Sequence, residues 1–193
     1  MIRHKCIVGF TFSEKPTVEA HVENLVRKAN KRYYAMIRHK KAGLPQDKLL
    51  CLYNSVIRSV LEFASVVYHS LLTKKMANLL ENVQKRALRL IYGYNIPYSE
   101  LLEISTQPAL EERRITSIDR FIKSALKNPK YGPRWFPQRS DTRLTRNPIV
   151  YLEEQATGNR LYNSPLFSMR RKLNGREIES VTDLTGIFCD PFN

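Results

Sequence analysis

Residues 80–91 read LENVQKRALRLI, and this segment decides the fold class. Its apolar residues recur at steps of three and four, the period of a helix with one buried face. Glu81 and Lys85 stand one turn apart on the other face, where an intrahelical ion pair is worth about 0.3–0.5 kcal/mol. The pattern predicts an amphipathic helix over residues 74–92, ended by Gly93.

Helical periodicity also marks the segments on both sides. We predict an amphipathic helix over residues 18–42 and an almost wholly apolar helix over residues 46–71, which forms the centre of the core. A short helical piece over residues 98–104 precedes a fourth long helix, opened by Pro108 and continuing to residue 127. Most of the chain up to residue 127 is therefore predicted to be helical.

The two ends of the chain have a different character. Residues 5–12 combine β-branched and aromatic residues and predict one short β-strand. Prolines and arginines interrupt the periodicity after residue 127. We predict a mainly α fold: a bundle of about four helices, preceded by the strand and followed by an irregular C-terminal tail. The expected division is a strand and turn at 1–16, a helical bundle at 17–127, and a basic linker with a weakly structured tail at 128–193.

The charge balance indicates the class of partner. The 193 residues include 32 Lys and Arg against 18 Asp and Glu, a net charge of +14. Such an excess favours polyanions or an anionic membrane surface. The longest apolar stretch, residues 56–72, carries Arg58, Glu62 and His69, so we interpret it as a buried helix and expect no membrane partner. No secretory signal is recognised, and we expect an intracellular protein, in the nucleus or cytoplasm.

The cysteines and histidines do not indicate a metal centre. Cys6, Cys51 and Cys189 are odd in number and far apart, which fits neither a disulfide framework nor a zinc site. His21 lies near the apolar stripe of the first helix and is predicted to be packed rather than to bind a metal. We expect no metal and no cofactor.

The order of the segments resembles the C-terminal thumb region of a non-LTR (LINE-type) retrotransposon reverse transcriptase. Residues 7–12 (IVGFTF) resemble the strand that ends the palm of that family. Residues 52–63 (LYNSVIRSVLEF) resemble its LY…V.RP.LEY segment, with serine where proline is frequent. Residues 80–91 are similar to its LERVQKRALRLI, and residues 107–114 (QPALEERR) to its PL.ERR helix start. The resemblance extends over roughly residues 6–127.

The residues that catalyse polymerisation in that family have no counterpart here. Two-metal catalysis needs converging carboxylates, and the aspartates of this chain are scattered: Asp47, Asp119, Asp141, Asp183 and Asp190. We therefore expect a fragment that lacks the palm and has no polymerase activity of its own. Two alternatives stay open: part of a longer active polymerase split by gene modelling, and a non-catalytic structural or interaction remnant.

The resemblance implies a surface that contacts nucleic acid. The thumb of these enzymes packs against the template–primer duplex, so its cations are expected to contact the phosphates of an RNA/DNA duplex or hybrid, with the missing palm and fingers as a further partner. The candidate binding residues are Arg27, Lys28, Lys31, Arg32, Arg38 and Lys41 on the first helix, with Lys40 beside them, and Lys85, Arg86 and Arg89 on the third. A solvated helix face is the competing interpretation, most strongly for the second group because of Glu81.

A second basic segment contains aromatic residues. Residues 130–146 interleave arginines with Tyr131, Trp135 and Phe136. Bases of single strands stack on such rings. This segment predicts either single-strand binding or a linker.

Overall fold

The chain is mainly α-helical, as predicted. The computed structural model describes residues 5–7, 10–12, 18–138, 150–153 and 158–175. The α-helices are α1 Val18–Lys41, α2 Gln46–Leu52, α3 Ser59–Leu61, α4 Ser65–Tyr68, α5 Lys74–Tyr92, α6 Tyr98–Ser105, α7 Leu110–Lys127, α8 Gly132–Trp135, α9 Asn159–Tyr162 and α10 Pro165–Leu173. A π-helical turn, Tyr53–Arg58, joins α2 to α3, and a 3-10 turn, His69–Leu71, follows α4.

The N-terminal strand differs from the prediction of a single strand. Strands β1 (Lys5–Ile7) and β2 (Phe10–Phe12) pair antiparallel, with Cys6 opposite Thr11. A run of eight residues is long enough for two short strands, and the sequence pattern alone does not distinguish such a pair from one strand. The two strands thus pair with each other.

The helix predicted over residues 46–71 is broken into shorter segments. The π-helical turn Tyr53–Arg58 interrupts its first half. Ala64 adopts a left-handed conformation with φ of 57°, which L-residues other than glycine rarely adopt and which ends an α-helix. In the described part of the chain no single helix is both long and apolar enough to cross a bilayer, although Gln46–Leu61 and Ser65–Leu71 pass that test when taken together across their break.

The described backbone divides into two compact units. The first contains the described residues up to 65 and residues 75–114, and the second contains residues 66–74 and the described residues from 115 onwards. The division differs from the predicted boundaries at 16 and 127, and it falls inside α7. The reason lies in packing, because the second half of α7 shares a core with residues that follow it in the chain.

The first unit is organised around α1, the segments from α2 to α3, and α5. The face of α1 that packs inward is formed by Val18, His21, Val22, Leu25, Ala29 and Met36. The buried face of α5 is formed by Leu80, Val83, Gln84, Ala87, Leu88, Leu90 and Ile91. Both faces follow the period of three and four that the sequence shows.

A buried polar network links these helices around Gln84. The Tyr53 hydroxyl donates to Gln84 Oε1 at 2.5 Å, and Gln84 Nε2 donates to the Pro108 carbonyl at 3.0 Å and to the Tyr98 hydroxyl at 3.1 Å. The Tyr98 hydroxyl in turn donates to Glu81. Burial, more than any neighbouring charge, raises the pKa values of Tyr53 and Tyr98, so both hydroxyls keep their protons.

Glu81 also holds the start of α7. Its Oε2 accepts a hydrogen bond of 3.2 Å from the backbone N–H of Leu110, the first residue of that helix. The first N–H groups of a helix have no partner within the helix and favour a negative charge. The carboxylate therefore caps a helix distant in sequence instead of pairing with Lys85, and the predicted Glu81–Lys85 ion pair is wrong.

A second polar cluster joins α7 to the segment after α3. Arg113 Nε and Nη2 both donate to the Glu62 carboxylate, the latter at 3.2 Å. Arg58 Nε lies 3.8 Å from the same carboxylate, and Arg58 also donates to Gln107 at 2.5 Å. Arg58 and Glu62, one helical turn apart, thus belong to a structural cluster that joins these segments.

The second unit has a small core of its own. Ile118, Ile122 and Ala125 of α7 pack with Phe136 and Met169. Residues 128–138 were predicted to be a linker but take part in this core, because burying an apolar ring such as that of Phe136 is favourable. The short helices α9 and α10 lie in the region predicted to be a weakly structured tail, and residues 139–149 and 176–193 lie outside the described residues.

Candidate nucleic-acid interface

The candidate interface is the face of α1 that points away from the core. Arg27, Lys31 and Arg38 are all exposed. At 3.6 residues per turn they lie about half a turn from the buried Ala29 and Met36. The amphipathic pattern produces this arrangement directly, because burying the apolar face turns the opposite one to solvent.

The spacing along α1 suits a charged backbone. Arg27 and Arg38 are eleven positions apart, or about 16 Å at 1.5 Å per residue. Each strand of duplex DNA carries one phosphate per roughly 3.4 Å of its axis, so this row spans about five phosphates of one strand. Lys31 lies between the two arginines. The row can contact several phosphates at once.

The cations of this row are not ion-paired with carboxylates of the described residues. Within the ranges that the structure describes, Arg27, Lys31 and Arg38 form no ion pair, and the same is true of Lys28 and Lys41. Arg27 donates a hydrogen bond to the neutral side chain of Asn24, at 3.0 Å. All of the predicted phosphate-contacting residues of α1 are exposed, and Arg32 and Lys40 differ from the others in that each donates to a backbone carbonyl.

Arg32 and Lys40 are held by backbone carbonyls. The Arg32 guanidinium donates to the Val56 carbonyl at 2.6 Å, within the π-helical turn, and the Lys40 ammonium donates to the Leu90 carbonyl. Both side chains are still partly open to solvent. They tie α1 to its neighbours, so only part of their donor capacity is left for a ligand.

Of the three candidate cations of α5, Lys85 and Arg86 contact other side chains of the first unit and Arg89 is half-buried. Arg86 donates to Asn30 and lies 5.3 Å from the centroid of the Tyr33 ring. Lys85 lies 5.8 Å from the Tyr98 ring. Arg89 is half-buried, and its Nε has no hydrogen-bond partner among the described atoms. Arg86 thus lies next to α1. Lys85 and Arg89 are instead half-buried within the first unit.

A groove beside the row was not predicted. It has a volume of about 820 Å³ and is lined by Glu23, Val26, Arg27, Asn30, Lys31, Tyr34 and Leu79. Tyr34 is 66% exposed and Leu79 is 40% exposed. The position of Tyr34 could have been predicted from the sequence, because it lies three residues after Lys31 and four before Arg38 and therefore on the same face of the helix. Leu79 could not be found this way, because it comes from α5.

Tyr33 lies at the inner edge of the interface. Burial and a hydrogen bond with Tyr94 raise the pKa of Tyr33 to about 12, although the charge of Arg86 opposes the rise. The phenol is therefore neutral at physiological pH. It offers Arg86 a ring face instead of a negative charge.

The remaining sequence predictions concern metals and the second basic segment. The described ranges hold no group of three or more His, Cys, Asp or Glu side chains that could bind a metal ion. Of the predicted aromatic residues, Phe136 is buried, Trp135 is half-buried and Tyr131 is exposed. Arg139, Arg143 and Arg146 lie outside the described residues.

No family model, no curated protein and no solved structure matches the chain.

Proposed function

We propose that the chain binds nucleic acid through phosphate contacts of α1, as the thumb-like region of a non-LTR retrotransposon reverse transcriptase without polymerase activity of its own. One observation carries the proposal: Arg27, Lys31 and Arg38 form an exposed row opposite the buried face of α1, with no carboxylate paired to them in the described ranges. The net charge of +14 supports it, since such a chain attracts polyanions.

Binding of this kind is insensitive to base sequence. Phosphate contacts position a protein on a duplex and carry no direct sequence information. Three such contacts release about 2.7 counterions in total at about 0.9 for each phosphate of duplex DNA. Affinity is therefore expected to fall roughly 40-fold between about 50 and about 200 mM salt.

The resemblance supports the proposal from a different direction. Two of its segments, residues 80–91 and 107–114, meet in the first unit, where Glu81 caps Leu110 and Gln84 bonds to the Pro108 carbonyl. Polar side chains of the first segment therefore bond to the backbone of the second, which gives a structural reason for both segments to occur in one chain. We propose that the helices of the first unit are the thumb-like bundle and that β1 and β2 correspond to the end of the palm.

The test is a salt titration of binding by the full chain. A DNA duplex and an RNA–DNA hybrid of equal length are titrated at several salt concentrations, for the wild-type chain and for a triple variant with Arg27→Gln, Lys31→Gln and Arg38→Gln. The variant should bind more weakly and lose about 2.7 from the slope of log affinity against log salt. A control triple variant, with Lys48→Gln, Lys74→Gln and Lys75→Gln, removes the same charge from exposed positions outside α1. Equal losses in both variants, or affinity independent of salt, would refute the proposal.

An interaction with protein is the second candidate, and the groove beside α1 favours it. Tyr34 and Leu79 expose apolar area there, which is typical of surfaces that bind a partner. The absence of salt-dependent nucleic-acid binding, together with a cooperative thermal transition of the wild-type chain, would favour this candidate. A Leu79→Ser variant would then be expected to lose the partner.

The chain as part of a longer active polymerase is the remaining alternative. It predicts the same duplex binding by α1, so binding alone does not separate it from the first proposal. Genomic sequence upstream of Met1 does, because an in-frame palm would carry adjacent aspartates able to hold two metal ions.

A further inference from the structure

Three aromatic rings of the second unit form a stack that ends at the surface. Trp135 is stacked with Phe121, with ring centroids 5.8 Å apart and planes 20° apart. Trp135 is also stacked with Tyr131, at 5.0 Å and 25°. Phe121 and Trp135 are half-buried, whereas Tyr131 is 38% exposed. The stack therefore presents Tyr131 to solvent.

The backbone around Tyr131 is held by local hydrogen bonds. The Asn128 side chain accepts hydrogen bonds from the N–H groups of Lys130 at 3.0 Å and Tyr131 at 3.3 Å. Gly132 donates to the Asn128 carbonyl at 2.8 Å. These bonds form a turn between α7 and α8 that fixes the backbone at Tyr131.

The other end of this turn is anchored in the core of the second unit. Arg170 Nε donates to the Trp135 carbonyl at 2.9 Å, and the next residue, Phe136, is 2% exposed. Trp135 is thus fixed through its backbone and its ring. A ring supported in this way loses little conformational freedom when a flat ligand stacks on it.

The surroundings of Tyr131 are cationic. Residues 120–138 contain five Lys and Arg and no Asp or Glu. Lys127, Lys130 and Arg134 are exposed, and none of the three is ion-paired in the described ranges. The Lys130 ammonium lies 5.7 Å from the centroid of the Tyr131 ring, a loose contact that a stacking ligand can displace.

We propose that Tyr131, supported by Trp135 and Phe121, is a stacking site for an unpaired base of single-stranded nucleic acid, and that Lys130 and Arg134 contact the adjacent phosphates. A ring binds the face of a base, and adjacent cations bind the negative charge that follows each base along the strand. Bases inside a duplex are stacked on one another and do not offer a free face. The site therefore prefers single strands, with little dependence on sequence. It is separate from the row on α1 and does not rest on the function proposed for that row.

The test compares single-stranded and duplex probes on the full chain. Oligothymidine of about 12 nucleotides covers a typical binding site for single strands. Tyr131→Leu keeps an apolar side chain but removes the ring, and it should weaken oligothymidine binding by roughly 5- to 150-fold, the range for one stacked base. Tyr131→Phe should stay within about 2-fold of wild type, since the ring is kept. Phe63→Leu, at another exposed aromatic residue, is the matched control and should also leave the affinity unchanged.

Trp135 supplies a second readout because it is the only tryptophan of the chain. Its fluorescence should change when oligothymidine binds to the wild type and to Tyr131→Phe, and should not change with Tyr131→Leu. Wild-type affinity for oligothymidine in Tyr131→Leu would overturn the proposal, and so would an equal loss of duplex binding in that variant. Loss of duplex binding in the α1 triple variant tests the other site, so the two proposals can fail separately.

Discussion

The Tyr53 hydroxyl donates a hydrogen bond of 2.5 Å to Oε1 of Gln84, and both side chains are fully buried. Because Gln84 Nε2 donates to Pro108 and Tyr98, the amide uses both its acceptor and its donors inside the protein. A buried polar group that loses its partner costs about 1–3 kcal/mol, more than the net gain from an intact bond. This bond and its neighbours therefore determine how tightly α5 is joined to the helices around it.

Tyr53→Phe should lower the free energy of unfolding by about 1–3 kcal/mol, because it leaves Gln84 Oε1 without its donor. Gln84→Leu should cost more, since it removes the partner of both Tyr53 and the Pro108 carbonyl. The double variant should cost at least about 0.5 kcal/mol less than the sum of the two. Urea denaturation measures all three, with Tyr34→Phe at an exposed tyrosine as the control. Strict additivity would contradict the coupling.

Glu62→Gln should destabilise the chain by about 1–3 kcal/mol, because it removes the charge that Arg113 and Arg58 face. Glu62 raises the pKa of Arg113 chiefly through the hydrogen bond between them, which indicates that the charged form of the pair is favoured. The exposed Glu103→Gln should change stability by less than about 0.5 kcal/mol. Thermal melts of the two variants compare them, and equal melting temperatures would contradict a structural role of Glu62.

Arg27 and Arg32 should respond to substitution in opposite ways. Arg27→Gln should lower the salt slope of duplex binding by about 0.9 and change stability by less than about 0.5 kcal/mol. Arg32→Gln should cost about 0.5–1.5 kcal/mol of stability, because it loses the bond to the Val56 carbonyl, and should change the slope less. Binding and urea denaturation are measured on both variants. Identical behaviour would mean that the bond to Val56 does not decide the role of Arg32.

His21 should make the chain sensitive to acid. Its burial, followed by the charge of Lys28, lowers its pKa from the ordinary 6.5, although a hydrogen bond with the backbone of Phe63 opposes the shift. Below pH 6.5 the unfolded chain binds a proton that the folded chain does not, so stability falls as pH falls until the folded pKa is reached. The loss is at most about 1.4 kcal/mol for each pH unit.

Urea denaturation at several pH values between about 7.5 and 5 checks this loss. His21→Gln should reduce the dependence on pH, whereas His39→Gln, on the exposed side of α1, should keep it. An unchanged slope in His21→Gln would assign the acid sensitivity to other groups.

Gly132→Ala should destabilise the second unit by about 1–3 kcal/mol, the usual cost of overpacking. A Cβ there would lie 3.1 Å from the Leu126 carbonyl oxygen and 3.2 Å from that of Ala125, both backbone atoms that move little. Gly158→Ala is the control, since nothing lies within 4 Å of a Cβ at that position. Proteolysis and Trp135 fluorescence would report the loss. Equal stability of the two variants would show that the turn can shift.

Several elements were predictable because their signal is local. The helix predicted over residues 74–92 is α5, Lys74–Tyr92, and the one predicted over residues 18–42 is α1, Val18–Lys41. The period of the apolar residues predicts both helices, and Gly93 and Gly43 mark where they end. The exposure of Arg27, Lys31 and Arg38 follows from the same period. The helix break at Ala64 was not predictable in this way, because alanine is a good helix former and the break depends on its surroundings.

The sequence by itself thus determined the mainly α fold, the bounds of α1 and α5 and the row of cations on α1, because each depends on residues within a few positions of one another. Only the tertiary structure decided that Glu81 caps Leu110, that Arg32 is held by Val56, and that Phe121 and Trp135 stack beneath Tyr131. Apart from the stack of Tyr131 on Trp135, these contacts join residues from different segments. Their energies depend on burial and geometry that arise only when those segments pack together.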